Sequence, residues 1–140
     1  PEIENEVKND RAIMRGLHFF RENIRVEDMV DAVKENNTEL VLKIIDESGK
    51  SSWELLQNCY SVSNYKEQKV PLYLALTDLF IKRNGDGCCR VHGGGFAGVI
   101  MSVIPKRLTN EYIRFIAGYV GAENVYPMRI RDTGAIHLEK

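Results

Sequence analysis

The sequence predicts an α+β domain in which helices come first and a small, mainly antiparallel sheet follows. Three observations carry this. Apolar residues recur at helical spacing from Ile13 to Ile81. Short β-prone segments separated by glycine then appear around Cys88 and Val99. Helical spacing returns at Leu108 and gives way to one more β-prone run at Val125.

The elements follow in order. Ile13, Met14, Leu17, Phe20 and Ile24 recur at helical spacing, with Arg15, Arg21 and Glu22 on the other side, so residues 11–24 form an amphipathic helix. A second apolar stripe, Val26, Met29, Val30 and Val33, runs to the Asn36-Asn37-Thr38 cluster, whose side chains suit a helix cap. A third helix holds Leu40, Val41, Ile44 and Ile45 and is expected to stop near Gly49, a residue free to take positive φ. Ser51 and Glu54 have the capping-box spacing, which predicts a further helix through Trp53, Leu56 and Tyr60. Pro71 fits the first turn of a helix, and residues 72–81 are apolar almost all round, so that helix is expected to be the most buried. Residues 88–91 and 99–104 read as strands, Leu108, Tyr112, Phe115, Ile116 and Tyr119 as a helix, and residues 125–130 as a final strand.

The 140 residues are enough for one domain, 1–140, but few for a complete nucleotide-dependent enzyme. Nineteen Lys and Arg against twenty Asp and Glu leave a formal net charge of -1, with no basic stripe interleaved with aromatics, so nucleic acid is not an expected partner. The apolar runs are too short to span a bilayer and none has the form of a signal peptide, so no membrane partner is expected and a cytoplasmic location fits. The chain begins at Pro1 with a polar, charged stretch, as a piece of a longer protein, a processed N-terminus or an excised domain would; its Glu and Lys residues read as a solvated face. Of the three cysteines, Cys88 and Cys89 are adjacent, so on a strand they point to opposite faces and read as reduced thiols. With His92 they lack a fourth ligand at a recognisable spacing, and no metal site is expected.

The most informative segment is the glycine run from Gly85 to Gly98, in which six glycines punctuate two strands. Glycine costs stability inside regular structure, so something favours it here. Gly93-Gly94-Gly95 lets the backbone take positive φ, approach another surface closely and aim successive N–H groups into one concavity, which suits phosphate oxygens. The plain alternative is a glycine-rich bend between Val91 and Val99 with no ligand. No Gly-Lys-Ser/Thr follows, and the run opens a strand rather than a helix, so neither a Walker loop nor a dinucleotide fingerprint is present. His92 reads as a satisfied strand-end histidine, a phosphate-facing donor or a stabiliser of the loop. Arg90 could pair with a phosphate, but its place on the strand equally suits a carboxylate partner in the sheet, and the structural role is preferred; His18 and Trp53 read as packing residues.

The stretch Arg90-Val91-His92-Gly93-Gly94-Gly95-Phe96-Ala97-Gly98 resembles the third signature motif of the GHMP kinases, in its galactokinase form: Arg, a glycine triplet, Phe, then a small-Gly pair. Residues 11–25 resemble the helix that opens the galactokinase C-terminal domain, and Arg131-Asp132-Thr133-Gly134-Ala135 resembles its closing turn. His92 stands where that family usually has Thr or Ser, Ala97 where it has Gly, and residues 47–52 depart from its usual Ser-His form, which loosens the sugar specificity.

The resemblance implies a ferredoxin-like GHMP kinase C-terminal domain and a parent that transfers phosphoryl from ATP, with Mg²⁺, to the 1-hydroxyl of a sugar, galactose being the implied substrate. It places His92, Gly93, Gly94, Gly95, Phe96, Ala97 and Gly98 against the nucleotide at the inter-domain cleft. The sugar-binding motif, the phosphate loop and the catalytic Asp would belong to an N-terminal kinase domain, so no catalytic residue is expected in this chain and the fragment alone should be inactive. Two other readings stay open: a galactokinase-like sugar sensor, and a stand-alone ligand-binding module.

Overall fold

A computed structural model describes residues 9–95 and 98–134. Phe96, Ala97, the polar residues 1–8 and Ala135 of the closing turn lie outside the described residues. The order is α1 (Asp10–Lys34), α2 (Thr38–Ser51), α3 (Lys69–Asn84), β1 (Cys88–Val91), β2 (Ile100–Val103) and α4 (Thr109–Val120), joined by short 3₁₀ and π turns. Helices therefore precede one antiparallel strand pair, as the α+β reading requires.

Local chemistry sets most of the boundaries. The Asn9 side chain accepts from the Ala12 N–H and that of Asn37 from the Leu40 N–H, each supplying an acceptor to an orphan donor of a first turn. Pro71 sits in the first turn of α3, and Gly85 ends that helix in a left-handed conformation at φ 95°.

Cys88 pairs with Val103 and Val91 with Ile100, and the ladder continues through the His92 N–H to the Val99 carbonyl at 3.0 Å. Strand alternation divides β1 between two helices. Arg90 faces α2, where Gly49 approaches it, whereas Cys89 and Val91 face α3. One core cluster unites Phe80 of α3 with Leu108, Tyr112 and Ile116; a second unites Val70 with Cys59 and Val91. The Tyr112 hydroxyl bonds Thr77 at 2.9 Å and Ser102 at 2.8 Å, tying α4 to both α3 and β2.

Four expectations need correction. The first two apolar stripes lie on one continuous 25-residue helix, because no breaker separates Ile24 from Val26. Gly49 is inside α2 and ends nothing; an added Cβ would lie 2.8 Å from Arg90 Cβ, so its role is close helix–strand approach. Ser51 caps no new helix, since Ser52–Leu56 continues α2 as a π turn that Gln57 stops at φ 54°, and Trp53 is exposed. Residues 125–130 join no strand: Tyr126, Met128 and Ile130 are exposed, and the sheet of the described residues stays two-stranded. The α3 helix buries Val70, Thr77, Phe80 and Ile81, yet Leu72 and Leu79 point outward.

The largest surprise is the orientation of α1. Met14, His18, Glu22, Arg25 and Ala32 are its less exposed side, whereas Leu17, Phe20 and Ile24 of the expected apolar stripe are 48%, 67% and 59% exposed. Polar contacts seat the inward side. His18 Nδ1 lies 2.9 Å from the Ser51 hydroxyl, and Ser48 donates to Glu22, which also pairs with Arg25.

Candidate functional site: the glycine tip of the hairpin

The β1–β2 pairing places Gly93, Gly94, Gly95 and Gly98 at the tip of a hairpin, with the His92–Val99 bond as its last rung. Gly93, Gly95 and Gly98 have φ of 67°, 73° and 80°, the left-handed region in which a side chain is strained. Gly93, Gly94 and Gly98 are exposed, and a Cβ built on any of them would meet nothing within 4 Å. Among the described residues no N–H of these four glycines donates to another backbone group. Gly93, Gly94 and Gly98 therefore present accessible backbone, with N–H groups that meet no backbone acceptor among the described residues.

Gly95 differs from its neighbours. It is buried, and a Cβ there would overlap the Asn58 carbonyl oxygen. Asn58 is itself 2% exposed and donates from Nδ2 to the Gly94 carbonyl at 3.2 Å. The tip is thus open on one side and clamped on the other.

The remaining named residues fall into two groups. The His92 side chain is exposed and makes no hydrogen bond among the described residues, so it is free to meet something beyond the loop. Arg90 points away from the tip: Nε donates to the Val91 carbonyl at 3.0 Å and Nη1 to the Ser48 hydroxyl, which passes the contact to Glu22. Its partner is a carboxylate reached through a serine, which agrees with a structural role. His18 belongs to the α1–α2 contact, as a packing residue would.

The cysteines are chemically quiet. Cys88 and Cys89 face opposite sides of β1, so they do not converge with His92 on one ion. Burial pushes the Cys88 thiol up to about 11 and the Cys89 thiol up to about 12, with nearby carboxylates adding to both, and burial also raises Cys59. A thiol held in its neutral form is a poor nucleophile and a poor metal ligand.

Sequence reasoning missed Asn58, Glu22 and Ser48. Each is a common polar residue outside any motif, and what distinguishes it is partial or full burial beside a partner 26 to 42 positions away in sequence.

Comparison with known proteins gives one family of relatives. Galactokinases of Clostridium perfringens strains SM101, ATCC 13124 and 13 are 29% identical to this chain over 111 residues. That match takes in 79% of this chain and 26% of each relative, so the chain spans about a quarter of the length of the curated relatives it matches. No protein-family profile matches the chain, and no solved structure does. No helix among the described residues is long and apolar enough to cross a membrane.

Proposed function

We propose that this chain is the C-terminal domain of an ATP-dependent, galactokinase-like sugar kinase, and that its glycine tip forms one wall of the cleft in which the nucleotide lies. One observation carries the reading: glycines between two strands, open and mostly left-handed, whose N–H groups meet no backbone acceptor among the described residues, within a chain similar to galactokinases.

The residues present fit the phosphate end of a nucleotide. Where Gly93, Gly94 and Gly98 lack a Cβ, space is left for an oxygen to approach the backbone, and His92 adds an exposed imidazole beside it. The loop does not fit Mg²⁺. Glycine, Phe96, Ala97 and His92 offer that ion no carboxylate, so this wall contributes donors and shape only. Bound ATP supplies the phosphoryl group, and the chain's own part is to hold its oxygens in place and exclude water. The group that orients the sugar hydroxyl then belongs to a preceding domain, and this chain alone transfers nothing.

The test is a coupled assay of the full-length protein with ATP and a panel of hexoses. Phosphorylation of galactose is expected. Sugar and ATP binding without transfer would make it a sensor, and failure to bind either would leave a stand-alone module.

A further inference from the structure

We infer that Asn58 is the positioning residue that sets the shape of the glycine tip, acting on the loop from beneath. The inference rests on the reading of that tip as a nucleotide wall.

The chain takes unusual steps to deliver Asn58. The regular turns of α2 loosen into the π turn Ser52–Leu56, and Gln57 then adopts φ 54°, a conformation uncommon for a side chain of its size. Such backbone persists where the surroundings hold it in place, and it clusters at functional segments. Its result here is to drop Asn58 under the hairpin tip, 36 positions from the loop in sequence.

Two contacts then act together. The side-chain amide donates to the Gly94 carbonyl at 3.2 Å, which turns that carbonyl down and away from the open side. The Asn58 backbone carbonyl and amide fill the space in which any side chain at position 95 would stand. Gly94 and Gly95 are thereby fixed while Gly93 and Gly98 remain open, so the N–H groups keep one orientation without being covered. A role in filling the core does not account for the residue. Its Oδ1 is buried with no hydrogen-bond partner among the described residues, and an apolar residue of similar size would avoid that cost.

The test begins with the unaltered 140-residue chain. By NMR, the Asn58 Nδ2 protons should exchange slowly and show a through-hydrogen-bond coupling to the Gly94 carbonyl. Rapid exchange without that coupling overturns the inference whatever any variant does. Asn58→Asp keeps the shape and removes the donor. In it, ¹⁵N relaxation should show lower order at Gly94 and Gly95, with α3 unchanged as the internal reference. Unchanged order at the loop, or an equal loss throughout the chain, overturns the inference.

In the full-length kinase the same variant should raise KM for ATP about tenfold with kcat nearly unchanged, the size expected for one hydrogen bond. A loosened loop with an unchanged KM keeps Asn58 as the clamp and removes the nucleotide reading. A raised KM with an unaltered loop does the reverse.

Discussion

Gly49 sits where α2 crosses β1, and the clearance there decides what alanine would do. Alanine favours a helix interior over glycine by about 1 kcal/mol. Its Cβ, however, would stand 2.8 Å from Arg90 Cβ and 3.1 Å from the Cys89 carbonyl, and overpacking of that kind costs about 1–3 kcal/mol. Gly49→Ala is therefore expected to destabilise the chain in spite of its propensity, read as a lower urea midpoint at an unchanged slope. On the next residues of the strand, Cys88 and Cys89 give a pH prediction. Their folded values, about 11 and about 12, lie above the ordinary 9.0. Below pH 9 both states hold the protons and stability does not depend on them. Between about 9 and 12 the unfolded chain releases them first, so the native state loses ground as pH rises. Urea midpoints should fall between pH 8 and pH 10, and less steeply in Cys89→Ala. At pH 8 a thiol reagent should modify these cysteines only in the unfolded chain.

At the scale of elements, one serine links two helices and a strand. Ser48 donates to Glu22 of α1 and accepts from Arg90 of β1, while Glu22 also holds Arg25. Ser48→Ala leaves a carboxylate and a guanidinium in a partly closed setting without that partner, at a cost of about 1–3 kcal/mol. The expected result is a lower thermal midpoint together with faster amide exchange in α1, and loss in α4 but not α1 would refute the link. This contact also shows what the sequence can and cannot express. The spacing of Ile13, Leu17, Phe20 and Ile24 correctly indicated a helix, but a period has no sign. It says that one side is apolar and leaves open whether the partner of that side lies in the same chain. Here α2 meets the other side through His18, Glu22 and Arg25, whose pairing depends on residues far along the sequence. Residues 125–130 fail as a strand for a related reason. Alternation and β-propensity describe a segment able to pair, whereas pairing needs a free neighbour in register. That glycines join two strands was legible because the pattern is local. Their clamp, Asn58, was not, because burial by a distant loop leaves no periodic trace.

On the scale of the whole molecule, α1 has an apolar stripe that the other described residues leave exposed. A single exposed leucine needs no account, but Leu17, Phe20 and Ile24 form one exposed row on the helix, with the half-buried Ile13 a turn before them. Under the proposed function, the rest of the kinase covers that row and the glycine tip lines the cleft alongside. Phe20 separates this from a helix that merely tolerates apolar residues in water. At 67% exposure its ring contributes little to folding of the 140-residue chain, so Phe20→Glu should move the unfolding free energy by less than about 0.5 kcal/mol. If a further domain buries the ring, the same change in the full-length protein removes about 1.5–3 kcal/mol of burial and adds the desolvation of a carboxylate. The two unfolding curves, measured side by side, decide between the alternatives. A small effect in both would mean that the stripe faces water in the full protein as well. A large effect in both would mean that α1 is seated differently in the chain, with its apolar row against its own core.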